Sequence, residues 1–115
     1  MDILQQKAYA FALRIVRLSE YLSNEKKEFI LSKKVLDSGT NIGLLIEKGK
    51  QGENRADFLQ KYSVANKEAF KTNFLLRLLR DSKKVTPTQS ASLLTDCEEL
   101  QKLLITSLKT ARKNE

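Results

Sequence analysis

Residues 31–47, LSKKVLDSGTNIGLLIE, decide the fold of this chain, because apolar side chains recur there with a helical period around two glycines. Gly39 and Gly43 stand four residues apart, which places them on one face of a helix. A glycine inside a helix costs ~1 kcal/mol relative to alanine, so a helix that keeps two needs bare backbone at that face. We predict that Gly39 and Gly43 permit close packing against a neighbouring helix.

Three further segments carry the same periodicity, and residue types favourable for helix starts precede all four segments. The predicted helices cover roughly residues 3–22, 25–49, 55–82 and 87–112. The expected N-terminal caps are Asp2, the Ser23-Asn24 pair, Asn54 and Thr86, the last followed by Pro87 and Gln89. Four amphipathic helices with short connections bury their apolar stripes most simply as an all-α, up-down-up-down antiparallel four-helix bundle. We predict one such domain over residues 1–115.

The composition argues against an enzyme. The chain has no histidine, which removes the usual general base near neutral pH and the Glu-x-x-His pattern of di-iron bundles. Glu47 and Glu68 could in principle face one another as paired carboxylates, but we favour ion pairs with cations such as Arg14 or Arg17. The single cysteine, Cys97, falls on an apolar seam and is expected to pack in the core. We expect no catalytic residue, no metal and no cofactor.

The net charge favours polyanionic partners. The 115 residues include 21 Lys or Arg against 14 Asp or Glu, a formal charge of +7. Arg77, Arg80 and Lys84 follow at helical spacing and are predicted to share one face, extended by Lys83. Further candidates for phosphate contacts are Lys67, Lys71, Arg14 and Arg17. A merely solvated charged face is the alternative for each of them. No stretch approaches the ~20 apolar residues of a membrane span, and we expect a cytoplasmic protein without a membrane partner.

Surplus apolar side chains predict self-association. The third segment carries Phe70, Phe74, Leu75 and Leu78 beside its seam, and the first carries Tyr9 and Val16. Apolar patches of this kind commonly mark an association surface, so these six residues are the candidate oligomer interface. A wide core stripe is the alternative.

Four blocks of the chain resemble a known family. They are AFALRIVRLSEYL, KKEFILSKKVLDSGTNIG, ADFLQKYSVANKEAFKTNFLLRLL and DCEELQKLLITSLKTARKN. In this order and spacing they resemble the four-helix bundle proteins related to those encoded in intervening sequences of bacterial 23S ribosomal RNA genes. The fold is also similar to that of the accessory variability determinant of diversity-generating retroelements. The chain departs from the family pattern at Asp37, where a basic residue is common, and at Leu45, where an asparagine is common.

The resemblance implies a homo-oligomer, frequently a ring-like homopentamer, with basic surface directed at nucleic acid. It also makes a reverse transcriptase or another protein a candidate partner. Our first hypothesis is a non-enzymatic, oligomeric accessory protein that binds structured RNA or an RNA–DNA hybrid through phosphate contacts. The alternative is a protein–protein interaction scaffold that binds no nucleic acid.

Overall fold

The first helix starts at the capping signal expected from the sequence. In the computed structural model, which describes residues 1–113, α1 spans Ile3–Asn24. The Asp2 carboxylate accepts a hydrogen bond from the Gln5 backbone N–H at 2.8 Å, and the Gln5 side chain accepts one from the Asp2 N–H at 3.1 Å. This reciprocal capping box satisfies two of the donors that a helix start leaves unpaired.

The second helix begins later than the sequence predicted. α2 spans Ile30–Lys50, so the expected start near residue 25 and the Ser23-Asn24 cap are wrong. α1 continues through Asn24, and the chain then reverses at Lys27, whose φ of 52° is left-handed. Glu28 replaces the expected cap, because its carboxylate accepts hydrogen bonds from the backbone N–H groups of Leu31 and Ser32.

The third and fourth helices follow their predicted starts. α3 spans Arg55–Asp81, and the Asn54 side chain accepts from the Asp57 N–H at 2.9 Å. α4 spans Pro87–Lys113. The Thr86 hydroxyl accepts from the Gln89 N–H at 3.1 Å, and the Gln89 side chain accepts from the Thr86 N–H at 2.8 Å. Pro87 occupies the first helical position, where its missing N–H costs nothing.

The helices pack in chain order around one core. α1 contacts α2, α2 contacts α3, α3 contacts α4, and α4 returns to α1, while within residues 1–113 no Cα atoms of the diagonal pairs lie within 8 Å of each other. The bundle measures 47 × 21 × 20 Å. The prediction of an all-α, up-down-up-down four-helix bundle is confirmed.

α2 packs closely against α1 where residues 31–47 carry Gly39 and Gly43. A Cβ added to Gly39 would lie 2.8 Å from Cγ1 of Ile15, which is fully buried on α1. At Gly43 an added Cβ would make ordinary contact, 3.5 Å from the Ala8 carbonyl oxygen. Bare backbone is therefore required at Gly39, whereas Gly43 has room for a methyl group.

The contact between α1 and α4 is sparser and polar. Arg14 forms an ion pair with Asp96 at 2.6 Å and donates to the Ser92 hydroxyl at 3.0 Å. Lys7 pairs with Glu99 one helical turn further along this seam. Polar side chains join the two helices outside the shared apolar core, and cavities lie along this side of the bundle.

Candidate nucleic-acid interface

The predicted basic row lies at the end of α3, but only part of it shares a helix face. Arg77 and Arg80 lie in the last two turns of α3, whereas Lys84 follows the helix, which ends at Asp81. Lys83, with a φ of 62°, turns the chain, and the Lys84 backbone N–H donates to the Leu79 carbonyl at 2.9 Å. The expectation that Arg77, Arg80 and Lys84 project from one helical face is therefore wrong for Lys84.

Neighbouring side chains hold the two arginines of α3. The Arg80 guanidinium donates to the Asp81 carboxylate at 2.8 Å, which raises the pKa of Arg80 and lowers that of Asp81. Arg77 donates to the Asn73 side chain at 2.9 Å, and its guanidinium carbon lies 5.6 Å from the Phe74 ring centroid. Arg80 thus has a carboxylate beside it, while Arg77 is positioned by a neutral amide and an aromatic face and lies within electrostatic reach of Asp81 without an ion pair to it.

The cations of α1 differ from one another in availability. Arg14 is engaged by Asp96, so the preference for Arg14 pairing with Glu47 or Glu68 is wrong. Arg17, one turn further along α1, is exposed, and no carboxylate of residues 1–113 lies within ion-pair distance of it. Lys67 and Lys71 are also exposed, on the outer surface of α3, away from the space between α1 and α4.

A cleft opens at the end of the bundle where α1 and α3 finish and α4 begins. Its volume is about 610 Å³. The lining residues are Tyr21, Lys26, Arg80, Asp81, Lys83, Val85, Thr86 and Pro87. Three cations therefore converge on one concave surface, from the α1–α2 turn, the end of α3 and the α3–α4 turn. We call this surface the basic cleft.

A second, smaller cavity adjoins the basic cleft along the α1–α4 seam. It measures about 260 Å³ and is lined by Arg14, Arg17, Leu18, Tyr21, Gln89 and Leu93. Tyr21 lines both cavities. We call this cavity the seam cavity.

Sequence reasoning missed Lys26 and Tyr21. Lys26 was assigned to the second helix, whereas it lies in the turn that brings it to the end of α3. The spacing of Tyr21 places it beside the core seam of the first helix. Spacing alone does not tell whether such a side chain packs against another helix or lines a cavity. The signal available in the sequence was the run Glu25–Lys26–Lys27–Glu28, whose polarity is typical of a turn.

The candidate oligomer-interface residues on α1 and those on α3 lie at opposite corners of the bundle. Phe70 and Phe74 are each 53% exposed, and Leu78 lies beside them on the outer face of α3. Tyr9 and Val16 are exposed on α1, which is diagonal to α3. Leu75 is 5% exposed and belongs to the core, so its assignment to an exterior surface is wrong. Leu75 directly follows Phe74 in the chain, but it lies on the inner side of α3.

The groups considered for catalysis lie in different environments. Cys97 is fully buried, its thiol donates to the Ala69 carbonyl at 3.3 Å, and burial raises its pKa to about 12. Glu47 is exposed on α2 beside the shallow groove between α1 and α2. Within residues 1–113, no three Cys, Asp or Glu side chains are grouped to hold a metal ion. None of the helices that the structure describes is long and apolar enough to cross a bilayer.

The fold and this surface define a class of protein: a small antiparallel four-helix bundle whose concave surface is lined by cations. A family model described as 23S rRNA-intervening sequence protein matches residues 2–106. The chain belongs to this family, and the resemblance predicted from the four sequence blocks is confirmed.

A solved structure extends the comparison to three dimensions. It is the crystal structure of a protein with unknown function from the S23 ribosomal protein family of Bacteroides thetaiotaomicron. The two chains are 43% identical and superpose with a TM-score of 0.92 over 93% of this chain and 99% of that one. A search of curated proteins gave no match.

Proposed function

We propose that this protein is a non-enzymatic, homo-oligomeric accessory protein that binds structured RNA or an RNA–DNA hybrid through phosphate contacts. The observation that carries the proposal is the basic cleft, where Lys26, Arg80 and Lys83 approach one another from three segments. Cations that only solvate a surface have no reason to cluster. Like charges repel one another, so such cations are more stable when they are spread apart.

The charges around the cleft leave it able to bind phosphates. Among residues 1–113, neither Lys26 nor Lys83 has a carboxylate within ion-pair distance, so both ammonium groups are available to an external anion. Arg77 lies one turn before Arg80 and adds a further cation near this end of the bundle. Contacts of this type position a nucleic acid without reading its sequence.

The homo-oligomer is supported by the placement of the exposed apolar residues. The α3 patch of Phe70, Phe74 and Leu78 is flanked by Lys67 and Lys71. The α1 patch at the opposite corner is flanked by acidic side chains, with Glu20 on α1 and Glu47 on α2. A contact between the α3 patch of one copy and the α1 patch of the next buries both and pairs opposite charges.

Such a contact joins two different surfaces and is therefore heterologous, the type that closes into a ring when the rotation between copies allows it. A pentamer is the ring size that the sequence resemblance implies. In any ring the basic cleft is repeated once per copy, and several weak phosphate contacts then act together on one long nucleic acid.

Fluorescence anisotropy tests the nucleic-acid part of the proposal. A labelled structured RNA is titrated with protein at low and moderate salt, and affinity should fall steeply as salt rises, because binding releases counterions from the phosphates. Arg77→Gln should weaken binding and reduce the salt dependence. The matched control is Lys48→Gln, which removes one charge from the exposed surface of α2. Absence of binding to RNA, DNA and hybrid even at low salt would refute the proposal.

A protein–protein scaffold is the second candidate, favoured by the half-exposed Phe70 and Phe74 rings. The partner would be a second protein, a reverse transcriptase among the candidates, and the positive charge would serve solubility. A tagged protein should then retain a partner in a pull-down after nuclease treatment, and Phe74→Ser should release it. Loss of the partner with nuclease would instead support the first proposal.

A further inference from the structure

Tyr21 lines both the basic cleft and the seam cavity, and its surroundings indicate which form of nucleic acid the site takes. We infer that a single-stranded segment runs from one cavity to the other, with one base stacked on the Tyr21 ring and phosphates held in each cavity. This inference rests on the proposed nucleic-acid binding and specifies the substrate class of the same site. It narrows the proposed structured RNA to its single-stranded segments and sets aside the RNA–DNA hybrid as the ligand of this site.

The position of Tyr21 suits a stacking platform. Its side chain packs partly against the hydrophobic core and also lines both cavities, so the core supports the residue while part of it remains accessible. Base–aromatic stacking of this kind is tolerant of sequence, because every base has a π-face. No other aromatic side chain lines either cavity within residues 1–113.

Cations lie on both sides of the ring. Lys26, Lys83 and Arg80 line the basic cleft on one side. On the other side, Arg17 lines the seam cavity one turn before Tyr21 on α1, so the two residues share a helical face. Among residues 1–113, no acidic residue lines the seam cavity, and the one carboxylate that lines the basic cleft, Asp81, is paired with Arg80. A strand that runs through both cavities therefore meets positive charge before and after the stacked base.

The size of the two cavities favours a single strand over a duplex. Volumes of about 610 and 260 Å³ are of the order that accommodates small ligands, a nucleotide among them. The whole bundle is only about 20 Å across, so a cleft at one end cannot enclose a double helix. In a duplex the base faces are already stacked on one another and cannot reach Tyr21, whereas bases in a single strand or loop can be splayed out onto a ring.

The test compares labelled single-stranded RNA of about 12 nucleotides, a length within the range of known single-strand sites, with the duplex of the same length. Wild-type protein should bind the single strand about tenfold more tightly. Tyr21→Phe should retain this preference, and Tyr21→Leu should lose about tenfold in affinity for the single strand, because it keeps apolar volume but removes the ring. Lys26→Gln and Lys83→Gln should weaken binding, whereas Lys109→Gln, a matched charge change towards the far end of α4, should not.

A second measurement covers the case in which Tyr21→Leu unfolds. The chain has three tyrosines and no tryptophan, so stacking can be followed by quenching of tyrosine emission. The part of the quenching due to Tyr21 should disappear in Tyr21→Phe while affinity is preserved. Inorganic phosphate serves as the competitor that distinguishes a simple anion site from a strand site.

The outcomes separate the inference from the proposed function. Absence of binding to any nucleic acid removes both. Equal affinity for single strand and duplex, with no effect of Tyr21→Leu and no quenching, overturns the inference and leaves the proposed function standing. Displacement of the RNA by millimolar phosphate together with an inert Tyr21 identifies the cleft as an anion site and also overturns the inference.

Discussion

Gly39 and Ile15 bring α1 and α2 into contact, and a Cβ on Gly39 would lie 2.8 Å from Cγ1, 2.9 Å from Cγ2 and 3.2 Å from Cβ of Ile15. Because the Ile15 branch point is itself involved, rotation of its side chain cannot relieve the clash. Gly39→Ala should therefore lower the free energy of unfolding by up to about 2 kcal/mol, the overpacking cost of about 1–3 kcal/mol less the helix-propensity gain of about 1 kcal/mol. Urea denaturation followed by circular dichroism measures the change.

Gly43→Ala is the matched control for that experiment. The added methyl would lie 3.5 Å from the Ala8 carbonyl oxygen, an ordinary contact, so the helix-propensity gain of up to about 1 kcal/mol should appear as stabilisation. The double variant Gly39→Ala with Ile15→Ala should be less destabilised than the sum of the single variants, because the smaller side chain removes the clashing atoms. Equal stability of the two glycine variants would contradict the close-packing argument.

Cys97 should be unreactive in the folded protein. Its thiol is fully buried and burial raises its pKa to about 12, whereas the reactive species is the thiolate. A disulfide reagent at pH 8 should modify the native protein at least about a hundredfold more slowly than the urea-unfolded chain. Rapid stoichiometric modification without loss of helicity would show that the thiol is accessible.

Tyr62 should make the protein less stable at alkaline pH. Burial raises the pKa of its phenol to about 12 from an ordinary value of 10, so the neutral form is favoured in the folded state. The resulting stabilisation is complete below pH 10 and is lost as the pH rises towards 12, by up to about 2 kcal/mol. Urea denaturation at a series of pH values should show a shallower decline in Tyr62→Phe, which keeps the ring packed on Phe58 and Gly49. Identical declines in the two proteins would contradict the assignment.

Asp81 should oppose phosphate binding in the basic cleft. Its carboxylate lines the cleft and accepts hydrogen bonds from Arg80, which reduces the positive charge that an incoming phosphate meets. Asp81→Asn should tighten RNA binding by up to about fivefold, since charges about 4 Å apart interact by about 1 kcal/mol in water. Glu98→Gln makes the same charge change on the exposed face of α4 and should have a smaller effect. Anisotropy titrations at one fixed salt concentration make the comparison.

Phe74 should contribute to the oligomer and little to the fold of the single chain. Its ring is 53% exposed on α3, so Phe74→Ser should lower the sedimentation coefficient towards that of a 13.1 kDa monomer while thermal unfolding of the bundle changes little. Leu75→Ser is the contrasting variant, because Leu75 is in the core and its loss should destabilise the chain itself. A wild-type protein that already sediments as a monomer would remove the oligomer proposal.

The extent of the fold that could be predicted depended on local signals. The starts of α1, α3 and α4 agree with the sequence, because Asp2, Asn54 and Thr86 cap their helices through hydrogen bonds to residues three positions away. The start of α2 was missed because the residue that caps it is a glutamate, Glu28, in a turn that Lys27 closes with a left-handed backbone. Glutamate is not a typical capping residue and lysine is not a typical residue for a left-handed turn, so the residue types at these positions did not indicate either feature.

The candidate site was less predictable for a related reason. Arg80 and Lys83 were identified from their charge, but their convergence with Lys26 depends on how the ends of three segments meet. Arg14 was identified in the same way, yet its partner Asp96 lies on another helix, 82 positions away along the chain. Charge can be counted along a sequence, whereas which charges cancel one another is a property of distances in space.

The sequence alone determined the four helices and the apolar seams that join them into a bundle, because these follow from side-chain period and local hydrogen bonding. The family was indicated separately, by the resemblance of four sequence blocks, and the family model confirmed it. Tertiary structure decided which of Gly39 and Gly43 has no room for a methyl group, which arginines form ion pairs and which cations line the same cavities as Tyr21. Those outcomes depend on distances between atoms far apart in the chain, which are fixed only when the helices have packed.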